Sequence, residues 1–279
     1  MTGSTYTIQK PNNFDIAQIF DCGQCFRFNK HPQKVNTYCG VAFSRYLEVT
    51  QSENTLTFNT SETEFNEIWS TFFDLGTDYG SIMSGFSDDD ILSKAAVFSS
   101  GIRILRQQPW EALCSFIISQ NNNIPRIKSI IENMSVKYGE MIHCDDGTAR
   151  YAFPTAEALY NAGEEKIFEL KTGFRAKYIF DCAKKVFLNE INLDSIFEMS
   201  LQESLDVLQT VKGVGPKVAA CTLLFGFAKH DAFPIDVWVK RILSKYYSDK
   251  ASVHFSSKYA GIAQQYLFYY ERCLNNVYL

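Results

Sequence analysis

Lys217 and Asp236 are two side chains whose types and spacing could act together on a sugar carbon. Lys217 opens an almost wholly apolar run, and Asp236 is the only charged residue between Ala232 and Val239. A helix of about three turns and a loop can bring the two together. An amine beside apolar residues at a helix N-terminus loses its proton more readily, and a neutral amine attacks carbon. A carboxylate in the same cleft offsets developing positive charge, so the pair predicts substitution at a sugar carbon. A solvated lysine and a helix-capping aspartate are the alternative interpretation.

The segment just before Lys217 is a glycine-rich turn between two apolar helices. Gly213 and Gly215 permit backbone conformations that a Cβ atom would forbid. The N–H groups of such a hairpin, together with the N-terminus of the next helix, point outward and bind a phosphate without reading base sequence. A plain helix–helix turn remains the alternative, but the position beside Lys217 favours binding of DNA phosphates.

The elements that must position these residues predict an α+β fold in two domains. Residues 1–100 are expected to form an N-terminal antiparallel β-sheet domain with flanking helices, and residues 101–279 a helical domain. Short runs rich in β-branched and aromatic residues predict strands at 6–9, 25–28, 37–43, 45–51 and 55–60. Apolar periodicity predicts helices at 62–73, 88–100, 110–120, 124–138, 154–160, 164–170, 175–188, 201–210, 217–228, 236–247 and 259–274.

Composition and charge exclude several classes of protein. Hydrophobic residues make up 46% and charged residues 21% of the 279 residues, which excludes a largely disordered chain. The chain shows no transmembrane run and no apolar leader, so we expect an intracellular protein without a membrane partner. The net charge is −4, but residues 1–99 hold six basic and twelve acidic residues, against 21 and 19 in the rest. A polyanion is therefore expected to bind the second part.

The eight cysteines predict free thiols rather than a metal site. Cys22 and Cys25 form a Cys-x-x-Cys pair, but no second pair or nearby histidine completes a zinc set. Only Cys273 lies near the C-terminus, which excludes the ladder of cysteines that an iron–sulfur cluster requires. We therefore expect no metal and no cofactor.

Four segments, in order, resemble one known family. They are Gly23–Phe28, Ser115–Arg126, Gly173–Ala176, and the hairpin with Lys217 followed by Pro234-Ile235-Asp236. The last segment resembles the helix-hairpin-helix DNA glycosylases with a glycine/proline-rich loop and an aspartate (HhH-GPD). All four together are most similar to the 8-oxoguanine DNA glycosylase/lyase family. The resemblance covers Gly23 to Phe268 and implies an N-terminal sheet of the TBP-like type and a monomer. It also implies that the substrate is double-stranded DNA with 8-oxoguanine opposite cytosine.

The resemblance implies the following catalytic and phosphate-binding roles. Lys217 would attack C1′ of the flipped nucleotide and form a Schiff base, after which β-elimination would cut the strand. Asp236 would stabilise the sugar cation. Gly213 and Gly215 would hold DNA phosphates, as would Trp238, which stands where many members carry a histidine.

The resemblance also implies how the damaged base is recognised. The carbonyl oxygen of Gly23 would accept the N7–H that 8-oxoguanine has and guanine lacks. Phe268 and Cys221 would sandwich the base, and Gln264 would meet its Watson–Crick edge. Taken from the sequence alone, each of these residues is equally consistent with packing or a turn.

A third group of residues would hold the orphaned cytosine. The resemblance assigns this role to Asn121, Arg126 and Arg175, with Phe174 wedged into the duplex. Phe174 replaces the tyrosine usual in the family, which keeps the stacking surface and removes a hydroxyl.

Three other interpretations predict different features. A monofunctional alkylpurine glycosylase of the same fold would lack a lysine at the hairpin. An endonuclease III-like enzyme would carry a C-terminal four-cysteine cluster and no N-terminal β region. A non-catalytic DNA-binding protein would need the hairpin but not Lys217 and Asp236 together.

Overall fold

An antiparallel sheet dominates the first part of the chain. The computed structural model describes residues 4–144, 147–248 and 252–275. Within the first of these ranges, five strands pair in the order β1-β5-β4-β3-β2. They are β1 (Tyr6–Gln9), β2 (Phe28–Lys30), β3 (Thr37–Ala42), β4 (Arg45–Gln51) and β5 (Thr55–Phe58).

One face of this sheet is fully covered. Leu47 and Val49 alternate along β4, and Leu56 and Phe58 along β5, so all four point to the same side and none is exposed. Trp69 and its aromatic neighbours pack against them from a helical segment that Ser61 caps by accepting the Glu64 N–H. The sheet therefore has one fully covered face, as the alternation in its strands predicts.

The rest of the described chain is mainly helical. A small hairpin of β6 (Met141–His143) and β7 (Ala149–Tyr151) interrupts it. Short π or 3-10 turns extend several helices, as at Phe65–Trp69, Phe168–Thr172, Gly173–Arg175, Asp194–Phe197, Leu243–Tyr247 and Val253–Ser256. The α-helices are α1 (Ile16–Asp21), α2 (Glu62–Glu64), α3 (Ser70–Phe72), α4 (Tyr79–Ser84), α5 (Asp90–Phe98), α6 (Pro109–Ser119), α7 (Ile124–Tyr138), α8 (Ala156–Ile167), α9 (Ala176–Phe187), α10 (Leu201–Leu208), α11 (Pro216–Gly226), α12 (Val237–Ile242) and α13 (Ala260–Leu274).

Two hydrophobic cores meet around Gln24. Its Nε2 donates to the carbonyl oxygens of Ile19 (3.0 Å) and Arg103 (2.8 Å), and its Oε1 accepts the Leu105 N–H at 2.9 Å. Gln107 Nε2 in turn donates to the Gln24 carbonyl oxygen at 2.8 Å. Because this side chain is fully buried with its polar atoms paired, it fixes the segment that contains Gly23 against the start of the helical region.

The larger core extends across the predicted boundary at residue 100. Tyr79, Leu92 and Ile102 belong to the same buried cluster as Tyr266 on α13, and α5 packs directly on α13. The division into 1–100 and 101–279 stays a prediction.

Most predicted elements are present, and one is wrong. The predicted strand at 25–28 starts only at Phe28. Cys25 packs in the core beneath the sheet and Phe26 packs in the helical core, so residues 25–27 pass between the two cores and do not pair with β3. The structure also adds α1, α4 and the β6–β7 hairpin. The sequence predicts a loop at residues 145–147, of which Asp145 and Asp146 lie outside the described residues. No helix in the described ranges is long and apolar enough to cross a membrane.

Candidate active site

A helix-hairpin-helix unit carries the candidate nucleophile. Helix α10 begins with a capping box of Ser200 and Glu203, and α11 begins at Pro216 directly after the N-cap residue Gly215. Gly213 has φ +79°, and a Cβ atom there would lie 2.5 Å from the ring of Tyr178. The sequence thus needs glycine at 213 both for the backbone conformation and for the close approach of α9.

One face of α9 holds this hairpin in place. Tyr178, Asp181 and Lys185 are spaced at three and four residues and so lie on the same side of the helix. The Asp181 carboxylate accepts the Lys212 N–H at 2.8 Å, and Lys185 Nζ donates to the Thr210 carbonyl oxygen at 2.6 Å. Sequence reasoning missed Asp181 and Lys185, because their partners are main-chain atoms of a distant turn.

Lys217 lies in the first turn of α11 and points into a pocket. Its Nζ lies 3.4 Å from the Ser119 hydroxyl on α6 and 5.6 Å from the centre of the Phe116 ring. The amine is therefore partly enclosed by α6. Six residues predicted from the sequence line this pocket, namely Gly23, Lys217, Cys221, Asp236, Gln264 and Phe268. Four further lining residues were not predicted, namely Phe116, Phe225, Pro234 and Gln265.

Asp236 both caps helix α12 and lines the pocket that holds Lys217. As N-cap of α12 it accepts the Val239 N–H at 2.8 Å, so the capping role expected from the sequence is present. It also lines the same pocket as Lys217. The two roles are compatible, because a carboxylate that caps a helix is held in one orientation by the bond it accepts.

Gly23 enters the pocket from the junction of the two cores. It has φ +82°, a conformation that favours glycine. The neighbouring carbonyl oxygen, that of Cys22, accepts Gln265 Nε2 from α13 at 2.9 Å. Gly23 is therefore tied to the helix that carries Gln264 and Phe268.

Burial favours the neutral form of two thiols, that of Cys221 in the pocket lining and that of Cys22 next to Gly23. Burial raises the pKa of Cys221, and the charge of Lys217 one turn away partly opposes this rise. Burial likewise raises the pKa of Cys22 to about 12, against hydrogen bonds from Gln24 and Gln265. Cys221 thus presents a neutral, polarisable surface to the pocket.

The residues predicted to hold the opposite base lie together at a second place. Arg175 is only 2% exposed and donates to the carbonyl oxygens of Gln120, Asn121 (2.9 Å) and Thr172 (3.2 Å). Its guanidinium lies 4.4 Å from the centre of the Phe174 ring, which is 49% exposed. Asn121 has φ +46°.

Arg126 joins the same region from α7. Its Nη2 lies 3.4 Å from the Lys171 carbonyl oxygen, and its side chain is exposed. Burial, followed by the charge of Arg126, lowers the pKa of Arg175. The two guanidinium groups therefore concentrate positive charge beside the exposed Phe174 ring.

Trp238 lies outside the pocket, on the first turn of α12. Its ring is flanked by the guanidinium groups of Arg241, 5.0 Å from the ring centre, and Arg272, 5.9 Å away. Neither arginine was singled out in the sequence.

The described residues contain no cluster of three or more side chains suited to holding a metal ion. Cys22 and Cys25 are free thiols that belong to different cores, so they do not face one common site.

Comparison with known proteins identifies the family. Residues 7–113 match the family described as 8-oxoguanine DNA glycosylase, N-terminal domain, and residues 114–258 match the HhH-GPD superfamily base excision DNA repair proteins. The chain belongs to the 8-oxoguanine DNA glycosylase family of the HhH-GPD superfamily. Membership accounts for the α+β architecture, in which a five-stranded sheet precedes a helix-hairpin-helix region.

Two solved members of this family have the same fold over nearly the whole chain. MBOgg1, solved with a low-affinity DNA ligand, is 43% identical with a TM-score of 0.92 and aligns over 99% of this chain and 98% of that one. Clostridium acetobutylicum 8-oxoguanine glycosylase/lyase, solved with double-stranded DNA containing cytosine opposite 8-oxoguanine, is 40% identical with a TM-score of 0.88. That alignment covers 99% of this chain and 100% of the Clostridium chain.

A curated member is also similar over part of its length. The N-glycosylase/DNA lyase of Saccharomyces cerevisiae is 39% identical over 169 residues, which cover 57% of this chain and 45% of the yeast protein. The chain therefore spans less than half of that curated relative.

Proposed function

We propose that this protein is a bifunctional DNA glycosylase that removes 8-oxoguanine opposite cytosine and cuts the strand through a lysine Schiff base. The observation that carries the proposal is the pocket itself. An amine, a carboxylate, an aromatic ring and an exposed main-chain segment converge there from α11, α12, α13 and the Gly23 turn. Excision of a flipped base through a lysine Schiff base would use each of these groups.

Recognition of the base would rest on the carbonyl oxygen of Gly23. In guanine, N7 is an acceptor, so guanine would place two acceptors against each other at this point. The N7–H of 8-oxoguanine would instead donate a hydrogen bond. An unpaired buried acceptor costs about 1–3 kcal/mol. Phe268 and the neutral Cys221 thiol would cover the two faces of the base, and Gln264 would meet its Watson–Crick edge.

The chemistry would then proceed in balanced steps from Lys217. The neutral amine forms a bond to C1′ as the C1′–N9 bond breaks, and the base leaves with that electron pair and a proton. Asp236 stabilises the positive charge that develops on the sugar. The proton that the base takes comes from the new C1′-bound ammonium group. The nitrogen lone pair then forms the Schiff base as the C1′–O4′ bond breaks, and O4′ takes a proton from water. Removal of a C2′ proton then expels the 3′ phosphate, and water releases the lysine.

Duplex DNA would be held at two further places. The N–H groups around Gly213 and Gly215 would bind phosphates. Asn121, Arg126 and Arg175 would hold the orphaned cytosine, with Phe174 filling the gap in the duplex. The Clostridium relative, solved with cytosine opposite 8-oxoguanine, supports this choice of substrate. We further propose that the protein acts as a monomer on DNA inside the cell.

Borohydride trapping on matched duplexes tests the proposal. The panel holds 8-oxoguanine opposite each of the four bases, with dihydrouracil and an alkylated purine as other lesions. The wild type is expected to give a covalent adduct on 8-oxoguanine that is strongest opposite cytosine. Lys217→Gln is expected to give none. Lys94→Gln, an equal loss of charge at an exposed position of α5, is the control and should trap normally.

Other results would replace parts of the proposal. Adducts that ignore the opposite base would remove Asn121, Arg126 and Arg175 as specificity residues. Base release without an adduct would make Asp236 and water the chemistry, as in a monofunctional glycosylase. Binding without any base release would leave a non-catalytic DNA-binding protein.

A further inference from the structure

Arg272 extends the pocket-lining face of α13 by one turn. Gln264, Phe268 and Arg272 follow one another at intervals of four residues, so they share one side of the helix. The guanidinium carbon of Arg272 lies 5.2 Å from the centre of the Phe268 ring and 5.9 Å from that of Trp238. Arg272 therefore lies between the ring at the base pocket and the ring that follows Asp236 on α12.

The guanidinium of Arg272 has no hydrogen-bond acceptor among the described residues. Its Nε is buried and unpaired. The Nε of Arg103 is also unpaired, but its two terminal nitrogens donate to four carbonyl oxygens, and the Arg175 guanidinium donates to three. An arginine that packs on two aromatic rings is held in place while its donors stay available.

Two guanidinium groups, those of Arg272 and Arg241, lie at the Trp238 ring, and one carboxylate, that of Asp236, acts on Arg272. Burial lowers the pKa of Arg272, and the carboxylate of Asp236 is the main group that opposes this effect. Arg241 brings a second guanidinium to the same indole ring, 5.0 Å from its centre. The guanidinium groups of Arg241 and Arg272 thus both lie at the Trp238 ring. Trp238 is two residues after Asp236, which faces the sugar in the proposed mechanism.

We propose that Arg272 binds a phosphate of the damaged strand beside the flipped nucleotide, with Trp238 and Phe268 holding its guanidinium in place. The inference rests on the proposed function and adds a phosphate-binding residue to it. A planar guanidinium can donate two parallel hydrogen bonds to a phosphate, which an indole N–H cannot. Trp238 then supports the arginine and need not contact the phosphate itself.

The test compares Arg272→Met with the wild type in DNA binding. Methionine keeps much of the apolar contact with both rings and removes only the charge and the donors. The ligands are a duplex with a tetrahydrofuran abasic analogue, which adopts the flipped state without a base, and the same duplex undamaged. Binding is measured from low to high salt, and thermal unfolding checks that the variant is folded. Lys94→Met is the control for loss of one charge.

We expect Arg272→Met to weaken binding of the abasic analogue by roughly tenfold to a hundredfold, the usual cost of a charged hydrogen bond. The slope of log affinity against log salt should fall by about 0.9, the value for one lost phosphate contact. The undamaged duplex should be affected less. Arg272→Lys should keep most of the wild-type salt slope but only part of the wild-type affinity. Lysine keeps the positive charge and lacks the planar guanidinium that donates two parallel hydrogen bonds.

A second variant separates support by the indole from the phosphate contact. Trp238→Ala combined with Arg272→Met should weaken binding by less than the sum of the two single changes, because both remove one contact. Wild-type affinity and salt slope in Arg272→Met would overturn the inference and leave Arg272 as a packing residue. Failure of the wild-type protein to bind or process any damaged duplex would instead overturn the proposed function.

Discussion

Gln265 on α13 donates from Nε2 to the carbonyl oxygen of Cys22 at 2.9 Å, and this bond fixes the turn at Gly23 relative to the base pocket. Both groups are buried, so loss of this bond would leave a buried carbonyl oxygen without a partner from the protein. The bond connects the N-terminal region directly to the helix that carries Gln264 and Phe268.

Replacement of Gln265 by methionine should separate base recognition from strand cleavage. The Cys22 carbonyl would lose its partner, at a cost of about 1–3 kcal/mol, and Gly23 would lose its fixed position. We expect excision of 8-oxoguanine to slow by roughly tenfold or more, while cleavage at a preformed abasic site changes little. Single-turnover rates on the two substrates measure this. An equal loss on both would mean that Gln265 only stabilises the fold.

Replacement of Asp236 by asparagine should remove the chemistry and keep the helix cap. Asparagine caps helices about as well as aspartate, so thermal unfolding should stay within about 0.5 kcal/mol of the wild type. Base excision should fall by about 100- to 1,000-fold, the usual effect of removing one group that stabilises transition-state charge. Asp236→Ala is the matched comparison and should lose about 1 kcal/mol of stability as well. Rapid excision by Asp236→Asn would show that the carboxylate serves only as a cap.

The two hairpin glycines should respond differently to alanine. At Gly213 the φ of +79° and the Tyr178 ring leave no room for a Cβ atom, so Gly213→Ala should destabilise the fold by about 1–3 kcal/mol. At Gly215 no atom lies within 4 Å of the added Cβ, so Gly215→Ala should lose only the N-cap preference for glycine over alanine, about 0.5–1 kcal/mol. If this surface binds phosphates, both variants should bind duplex DNA more weakly. Unchanged DNA affinity in Gly215→Ala would contradict the phosphate role of the hairpin.

Two substitutions of Asp181 should change DNA affinity in opposite directions. Asp181→Ala removes both the negative charge and the acceptor of the Lys212 N–H. The loss from the hydrogen bond, about fivefold, exceeds the gain from the charge, about twofold, so binding of undamaged duplex should weaken about twofold overall. Asp181→Asn keeps an acceptor oxygen and removes a negative charge beside a phosphate site. A charge about 8 Å away in water is worth roughly 0.5 kcal/mol, so binding should tighten about twofold. Titration of labelled duplex at fixed salt measures both, and a weaker Asp181→Asn complex would contradict this account.

The fold was predictable wherever one face of an element is apolar. Strands β4 and β5 and helix α7 follow clear periods of two or of three to four residues, and they occur where those periods place them. The strand predicted at 25–28 was wrong because Cys25 and Phe26 are both buried. A buried strand and a chain that passes between two cores both show this pattern. Periodicity cannot separate these cases, since it records burial and not the partner.

The candidate pocket was predictable only where residues follow a family pattern. Gly23, Lys217 and Asp236 stand in such segments and line one pocket. Gln265, Asp181 and Arg272 do not, because their contacts are with main-chain atoms or ring faces far away in sequence. The spacing of four residues from Gln264 to Phe268 and on to Arg272 is the one sequence signal that could have indicated Arg272.

The hydrogen bond between Cys22 and Gln265 joins residues that lie 243 positions apart in the chain, so it can form only late in synthesis. Translation produces Lys217 and Asp236 before any residue of α13. A chain that stopped after Asp236 and before α13 would carry the groups proposed to cleave a strand. It would lack Gln264, Phe268 and the Gln265 side chain that fixes Gly23. In the proposed mechanism, discrimination between damaged and normal bases therefore becomes possible only after α13 has been synthesised.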